Sequence, residues 1–340
     1  MVTQEPSGGS FVLSHDGRNA YSGTDAYARR EDGRLDHLHP VSVGGVTAIT
    51  SDSRFVYVGR AVYPGQPNAV SAYQRDAETG ALVLVEHLSG PSVAGLTISP
   101  DDRHLYALLQ AQGHVVAFRR GVDDGRLMQV GSPLEAARGN VLGADRLIAA
   151  SPDGVHVYVA PLFGVVRGFH RDVSTGELTP SSPFELNPLL EFGWGSGMAI
   201  ALSPDGRQVY VTGLAGLAVL LRNPVDGNLT FTEIHTHRRD VIPPGSVLYP
   251  QEPTGVYDSP GGPIAVSADG AYVVSGSIRF ATVLFERDPT TGKLAYKEKR
   301  HALSSPGGAF DGGSLTISPD GRHLYASTAG LIVFRFTTRH

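Results

Sequence analysis

Histidines, arginines and carboxylates must carry any chemistry of this 340-residue chain, because it contains thirteen histidines and no cysteine. The absence of cysteine excludes disulfides, thiolate zinc sites, iron–sulfur ligation and a cysteine nucleophile. His87, His235 and His301 each follow a predicted strand. Since imidazole exchanges a proton near neutral pH, these three are our candidate catalytic groups. The alternative for each is an ordinary histidine on the rim of the molecule.

Arginines are the candidate anion-binding groups. Asp145 and Arg146 stand at a place where most of the repeats described below have glycine. An arginine there could hold a carboxylate or stabilise an oxyanion, so we give Arg146 a catalytic role and Asp145 a substrate-binding one. The alternative is an acid–base pair that only satisfies its own loop. Arg60 and Arg279, each just after a predicted strand, are further candidates for binding an anionic substrate.

The longest irregular segment, residues 233–262, holds Arg239, Tyr249 and Tyr257, which we also assign to substrate binding. Its prolines and aromatics favour an ordered lid over a disordered insertion. His235 and His237 could begin a metal site, but a metal needs a third and a fourth ligand. We therefore expect no metal and no cofactor.

The only tryptophan, Trp194, lies in a glycine-rich segment at residues 185–197. An aromatic ring in such a loop can stack on a ligand, and we include it among the substrate-binding candidates. It could equally fill the centre of the fold as a core residue.

One phrase, Ser-Pro-Asp-Gly-Arg-x-Val/Leu-Tyr, recurs seven times and shows which elements position these side chains. Its copies begin at residues 14, 50, 99, 151, 203, 267 and 318. The average spacing of about 51 residues is that of a four-stranded propeller blade. The phrase itself predicts a tight turn: proline fixes φ, aspartate binds local amides, and glycine takes the positive-φ position.

A second phrase follows each copy but the last: an aromatic or apolar strand, a turn ending in glycine, then leucine. Each unit therefore contains four strands, which we name A to D. The last unit ends after its strand C, and residues 2–5 are predicted to supply its missing outer strand. The sequence thus predicts an all-β, seven-bladed propeller of four-stranded blades, forming one domain over residues 1–340.

The two phrases together, clearest at residues 285–294, resemble the seven-bladed lactonase family, which includes 6-phosphogluconolactonase-like and carboxymuconate-cyclase-like propellers. The resemblance implies the fold and a small-molecule enzyme. Sugar-phosphate members are similar in carrying His-x-His at the start of an inner strand. No inner strand here begins that way, so no residue of that site is carried over.

Charge and hydropathy narrow the partners. The net charge is −5, and no basic run would attract nucleic acid or an anionic membrane. The first residues lack the basic and apolar regions of a signal peptide, and no apolar stretch is long enough to span a membrane. We expect a cytoplasmic monomer whose partner is a small-molecule substrate.

The functional hypothesis is a lactonase-like enzyme that acts on a small carboxylated or lactone substrate by metal-free acid–base chemistry at the channel mouth. Hydrolysis, cyclising elimination and isomerisation are all compatible with these groups. The alternatives are a tailoring or cyclisation enzyme of specialised metabolism and a non-catalytic propeller that binds a ligand or a protein. We place the site on the face of the B–C and D–A connections, where the repeat is irregular.

Overall fold

A computed structural model describes the larger part of the chain: residues 2–4, 10–22, 25–41, 45–60, 68–137, 147–160, 165–186, 197–213, 216–236, 246–248, 260–277, 281–301, 314–327 and 331–336. The remaining residues follow a strand B or a strand D, apart from residue 1 and residues 337–340. Within the described residues every regular element is a β-strand.

Thirty strands form seven sheets. In chain order they are β1 (Val2–Gln4), β2 (Phe11–Leu13), β3 (Asn19–Ser22), β4 (Asp25–Arg29), β5 (Leu35–Pro40), β6 (Val46–Ile49), β7 (Phe55–Gly59), β8 (Asn68–Arg75), β9 (Leu82–Ser89), β10 (Val93–Ile98), β11 (His104–Leu109), β12 (His114–Arg120), β13 (Leu127–Glu135), β14 (Ile148–Ala150), β15 (His156–Val159), β16 (Val165–Arg171), β17 (Leu178–Pro180), β18 (Phe184–Glu185), β19 (Gly197–Leu202), β20 (Gln208–Gly213), β21 (Gly216–Arg222), β22 (Leu229–Thr236), β23 (Ser246–Leu248), β24 (Pro260–Val266), β25 (Tyr272–Ser277), β26 (Ala281–Arg287), β27 (Leu294–His301), β28 (Ser314–Ile317), β29 (His323–Ser327) and β30 (Leu331–Arg335).

Each sheet is one blade, with strands A to D in order from the inside of the ring to the outside. The blades are β2–β5, β6–β9, β10–β13, β14–β18, β19–β23, β24–β27 and β28–β30 with β1. The inner strands β2, β6, β10, β14, β19, β24 and β28 contact one another in that order, and β28 contacts β2. The predicted seven-bladed propeller is therefore confirmed.

Strands from the two ends of the chain meet in blade 7. β1 pairs antiparallel with β30, with Val2 opposite Val333 and Gln4 opposite Leu331. This outer strand has the place that the sequence predicts for residues 2–5. Blade 7 is thus the one blade whose strands C and D are not joined by a turn.

The repeated phrase forms the A–B turns as predicted. In the first copy Ser14 Oγ donates to Asp16 Oδ1 at 2.5 Å, the amide of Arg18 donates to the same oxygen at 3.0 Å, and Gly17 has φ +70°. In the second and third copies Ser53 and Asp102 take the positive-φ position instead. Each of these side chains binds the turn of the preceding blade, which offsets the backbone strain.

The apolar core lies between blades. Seven clusters of buried side chains each join two neighbouring blades, for example Phe55, Tyr57, Leu105 and Leu127 between blades 2 and 3. Each blade therefore buries both faces of its sheet, and the ring is the smallest unit that covers them all.

Polar side chains add a second bond system at these junctions, on the face of the A–B and C–D turns. A buried arginine at the end of strand C forms an ion pair with the aspartate of the preceding blade's A–B turn. The pairs are Arg29–Asp320, Arg75–Asp16, Arg171–Asp101, Arg222–Asp153 and Arg287–Asp205, at 2.5–2.9 Å. We call these side chains, together with Arg120 at the same place in blade 3, the junction arginines.

A tyrosine of strand B completes most junctions. Its hydroxyl donates to the carbonyl of the glycine that ends the next blade's C–D turn, as in Tyr158 to Gly227 at 2.8 Å and Tyr106 to Gly176 at 3.0 Å. Burial raises the pKa of both hydroxyls to about 12, so they remain donors throughout the neutral range. These bonds hold the turn face of the ring in register and leave the opposite face to the irregular connections.

Candidate functional site

Arg60 is the sequence-predicted site residue that lies nearest the inner strands among the described residues. It follows β7, and its backbone carbonyl accepts a hydrogen bond from the amide of Val93 on β10 at 3.0 Å. Its own amide donates to Ala69 on β8 at 3.0 Å. The residue is half-buried. These two backbone bonds fix Arg60 where strand β7 of blade 2 meets the start of inner strand β10 of blade 3. That it binds an anion there stays a prediction.

His87 lies on the outermost strand of blade 2 and is exposed. Its Nδ1 lies 2.8 Å from the hydroxyl oxygen of Ser71 on the neighbouring strand β8. A serine–histidine pair can generate a nucleophile, but Ser71 has only 1% of its surface exposed. The pair therefore orients the imidazole and leaves the Nε2 side of the ring available for proton transfer.

His235 lies at the end of β22 and is fully buried. Its Nε2 is 3.3 Å from Glu233 Oε1, and its ring packs edge-on against Phe285 of blade 6 at 4.9 Å. Glu233 Oε1 also accepts the amide of Leu294 at 2.8 Å. The pair is built into the junction between blades 5 and 6.

The segment after β22 returns to lie beside this strand. Residues 246–248 return as β23, which runs parallel to β22 with Val247 opposite His235. The irregular segment 233–262 thus begins and ends within strands β22 and β24 and adds a fifth strand to blade 5. Whether the rest of the segment forms a lid stays a prediction.

His301 is the last residue of β27, where it pairs with Ala281. It lies on the outer strand of blade 6, whereas His87 and His235 lie on the outer strands of blades 2 and 5. The structure therefore places the three predicted histidines on separate blades rather than around one point. Their catalytic roles stay predictions.

The other predicted site residues lie outside the described residues. These are Asp145, Arg146, Trp194, Arg239, Tyr249, Tyr257 and Arg279. All of them belong to B–C or D–A connections, on the face to which the sequence assigns the site. Their roles stay predictions.

Small hydroxyl groups join the inner strands near the channel. Ser314 Oγ accepts the amide of Phe11 at 2.9 Å, and Thr316 Oγ1 donates to the carbonyl of Phe11 at 3.2 Å, which links blades 7 and 1. Thr97 Oγ1 accepts the amide of Ala150 at 3.3 Å and links blades 3 and 4. These hydroxyl groups therefore hold neighbouring inner strands together.

Sequence reasoning assigned no role to the junction arginines, although the signal was present. An arginine recurs two residues after the central aromatic or apolar residue of strand C, as at Tyr27–Arg29, Phe169–Arg171 and Phe285–Arg287. Burial raises the pKa of Asp101, but the hydrogen bonds from Arg171 and Ser99 outweigh it and leave that pKa at about 2. Among the described residues, the aspartates of the A–B turns that bind junction arginines are thus structural and lie on the face opposite the predicted site.

Among the described residues, no group of three histidine or acidic side chains is placed to hold a metal ion. The described part of the chain likewise contains no helix of the length and apolarity that a membrane crossing needs.

Comparison with known proteins supports the resemblance seen in the repeats. The family model "Lactonase, 7-bladed beta-propeller" matches residues 36–144, about a third of the chain. An uncharacterized protein of Staphylococcus epidermidis is 24% identical over 320 residues, covering 88% of this chain and 84% of the relative. The predicted resemblance to the seven-bladed lactonase family is confirmed.

Solved structures share the fold over most of the chain. The periplasmic gluconolactonase of Pseudomonas aeruginosa superimposes with a TM-score of 0.62 at 20% identity, covering 89% of this chain and 87% of the other. Hydrazine synthase of Kuenenia stuttgartiensis gives 0.67 at 14% identity, covering 100% and 98%. At these identities the likeness shows the fold alone, and the two names show that this fold serves unlike reactions.

Proposed function

We propose that this protein is a lactonase-like enzyme that hydrolyses a small carboxylated or lactone substrate at the mouth of the propeller channel. The family-model match over residues 36–144 is the observation that carries the proposal. The gluconolactonase of Pseudomonas aeruginosa, which shares the fold, supports it. Cyclising elimination and isomerisation belong to the same proposal as other outcomes of acid–base chemistry on such a substrate.

Arg60 anchors the substrate in this proposal. Backbone bonds to Ala69 of blade 2 and Val93 of blade 3 hold the residue, so its position does not depend on its side chain. A guanidinium offers two parallel donors to a carboxylate, and it also stabilises the oxyanion that forms when water attacks a lactone carbonyl. Arg146 is proposed to share this role.

A histidine with a free ring nitrogen is proposed to move the proton. His87 is the strongest of the described candidates, because it is exposed and its ring is oriented by Ser71. It would take a proton from the attacking water and return one to the leaving alkoxide, so the lactone opens to a hydroxy acid without a change in oxidation state. We further propose that the protein acts as a cytoplasmic monomer on a small molecule, without a cofactor.

A non-catalytic binding protein is the second candidate, and one observation favours it. The three predicted histidines lie on the outer strands of blades 2, 5 and 6, and His235 is buried against Glu233. Convergent acid–base groups are what an enzyme site needs. A propeller mouth that binds a ligand without turnover needs only the arginines.

The test is a screen of lactone opening by pH-stat titration and mass spectrometry. The panel holds sugar lactones with and without a phosphate group and lactones with a free carboxylate. Wild type is compared with Arg60→Ala, Arg60→Lys and Arg146→Ala, and with Arg207→Ala as a matched control on the opposite face. We expect hydrolysis of at least one lactone, a rise in KM of roughly tenfold or more in Arg60→Ala with partial recovery in Arg60→Lys, and no change in Arg207→Ala.

The outcomes separate the two candidates. Folded wild-type protein that opens none of these substrates above the buffer rate contradicts the enzyme proposal. If such protein still binds the carboxylated lactones, with affinity lost in Arg60→Ala, the binding protein is supported instead. His87→Ala then distinguishes the proton carrier: an unchanged kcat and pH profile would remove His87 from the mechanism.

A further inference from the structure

The junction between blades 2 and 3 differs from the five that hold an arginine–aspartate ion pair. Arg120 has the place of the junction arginine, but it forms no ion pair within 4.0 Å among the described residues. Its Nε donates to the carbonyl of Asp102 at 2.5 Å and its Nη1 to the carbonyl of Gly121 at 3.3 Å. The guanidinium also lies 5.3 Å above the ring of Phe55.

The aspartate equivalent to the other partners is Asp52. Its Oδ1 accepts hydrogen bonds from the Thr50 hydroxyl and the Arg54 amide. Burial raises the pKa of Asp52, but the two hydrogen bonds and, to a smaller extent, the charge of Arg120 lower it below its usual value. Arg120 is therefore near this carboxylate but forms no ion pair with it.

A buried guanidinium without a bound carboxylate is costly. Arg120 has 4% of its surface exposed. Two carbonyl oxygens, the Tyr57 hydroxyl and the face of one aromatic ring offset part of the desolvation of its charge. None of these groups carries the negative charge that the other junction arginines bind.

Arg120 lines a cavity of about 640 Å³ on the turn face, between blades 3 and 4. Arg103 and Arg119 line the same cavity, and both are exposed. Arg103 immediately precedes His104, which is the register partner of Arg119, so the two side chains stand on neighbouring strands. Within the described part of the chain neither forms an ion pair.

The acidic residues of the cavity do not cancel this charge. Asp123 and Asp124 are the carboxylates in its lining. The Oδ1 of Asp124 accepts the amide of Arg126 at 3.1 Å, and its Oδ2 lies 4.0 Å from the Arg126 side chain. Asp123 accepts the Arg54 guanidinium through its backbone carbonyl at 3.5 Å. The lining thus holds three arginines and two carboxylates, and one of these carboxylates, Asp124, lies beside a further arginine. The cavity therefore has a net positive charge.

We propose that this cavity is a binding site for the phosphate group of a small molecule. Arginine is the side chain whose planar donors match phosphate oxygens, and a doubly charged group suits three guanidinium groups better than a single carboxylate does. Bound phosphate supplies the negative charge that Asp52 does not bring to Arg120. The site lies on the turn face, so it is separate from the channel mouth and independent of the proposed hydrolysis.

Blade 5 provides the matched control. The same three places hold Arg207, Leu221 and Arg222, and Arg222 is paired with Asp153 at 2.7 Å. Blade 5 thus has an exposed arginine at the same turn, without a second exposed arginine and without an unpaired one. Arg207→Ala removes one surface charge without touching the proposed site.

The experiment is isothermal titration calorimetry with inorganic phosphate, pyrophosphate and citrate, at constant ionic strength set with sodium chloride. Thermal unfolding is followed in the same solutions. Wild type is compared with Arg103→Ala/Arg119→Ala and with Arg207→Ala. Both substituted arginines are exposed, so we expect all three proteins to unfold at the same temperature without added anion.

We expect one phosphate or pyrophosphate site in wild type and in Arg207→Ala, and an affinity about tenfold weaker or worse in the double variant. The ligand should raise the unfolding temperature of the first two proteins alone. Equal binding by all three proteins, or no binding at millimolar phosphate, overturns the site. Binding of citrate without phosphate overturns the phosphate assignment.

Discussion

Two junctions of the ring, one between blades 4 and 5 and the other between blades 6 and 7, use the same positions of the repeat. The first has polar side chains at these positions and the second has apolar ones. In the first, Arg222 bonds Asp153 at 2.7 Å and His156 Nδ1 at 2.6 Å, and Tyr158 bonds the carbonyl of Gly227. In the second, Val274 stands in the tyrosine's place and Phe336 in the arginine's. The amide of Phe336 donates to the carbonyl of Arg322, just as the amide of Arg222 donates to the carbonyl of Arg207. Phe336 and Arg222 therefore occupy equivalent positions in their blades.

The difference follows from the way the ring closes. In five junctions that the structure describes, the tyrosine hydroxyl donates to the glycine carbonyl of the next blade's C–D turn. Blade 7 has no such turn, because its outer strand β1 comes from the other end of the chain. A buried tyrosine hydroxyl there would have no acceptor, at a cost of about 1–3 kcal/mol. An apolar valine and the stacking of Phe336 on Tyr272 at 6.1 Å replace the polar junction. The tyrosine of the repeat is thus replaced at the one junction where no glycine carbonyl is present to accept its hydrogen bond.

The largest expected effect comes from removing the charge that defines the polar junction. Arg222→Ala leaves Asp153 without its ion-pair partner and leaves a space where a residue with 3% of its surface exposed was packed. Since Asp153 keeps some contact with water, we expect destabilisation at the low end for a broken buried pair, about 3 kcal/mol. Guanidinium-induced unfolding followed by far-ultraviolet circular dichroism measures it.

Arg335→Ala is the control at the apolar junction. Arg335 is exposed on β30 next to Phe336, and its removal should change stability by no more than about 0.5 kcal/mol. Equal free energies of unfolding for Arg222→Ala and Arg335→Ala would contradict the comparison, because the polar junction would then add no stability of its own.

A second prediction uses pH. Burial and, after it, the Arg222 charge lower the pKa of His156 to about 4 in spite of the opposing Asp153 and Asp226, and His170 packs edge-on against the ring. The folded protein therefore holds His156 neutral, whereas the unfolded chain protonates it near pH 6.5. Stability from this residue is complete above pH 6.5 and is lost as the pH falls from 6.5 towards 4.

Gln208, the equivalent residue of the next junction, gives a reciprocal pair of variants. Its Oε1 accepts Arg287 at 2.5 Å without titrating. His156→Gln should flatten the fall in unfolding temperature between pH 6.5 and 4, and Gln208→His should steepen it. His104 and His323 keep part of the slope, because their pKa values are lowered in the same way. Parallel pH profiles in the three proteins would show that the junction histidines do not control acid stability.

The smallest expected effect compares two tyrosines that are equally buried. Tyr158→Phe removes the bond to Gly227 and also the bond that Arg222 Nε donates to the hydroxyl at 3.1 Å, and it should cost about 1 kcal/mol or more. The Tyr210 hydroxyl has no hydrogen-bond partner among the described residues, although Arg287 lies near it. Tyr210→Phe should therefore be neutral or slightly stabilising. A larger loss in Tyr210→Phe than in Tyr158→Phe would contradict the role given to the glycine carbonyls.

Much of the fold could be predicted because each blade carries its own local signal. The turn chemistry of Ser14, Asp16 and Gly17 operates within a few residues, so it is readable in each copy and gives the number of blades. The candidate site could not be predicted to the same depth. The role of Arg60 stays a prediction, and His235 is buried against Phe285 of blade 6, a contact between blades that no local pattern announces.

The sequence by itself determined the turns and the number of blades, since each depends on neighbours in the chain, and the strand missing from the last unit indicated the outer strand of blade 7. Only the tertiary structure decided the junctions. Arg171 bonds Asp101 and Tyr158 bonds Gly227 across about 70 residues, and nothing within one repeat says which copy supplies the partner. The same physics left Arg120 without a bound carboxylate, because a contact between blades depends on two copies at once and a turn depends on one.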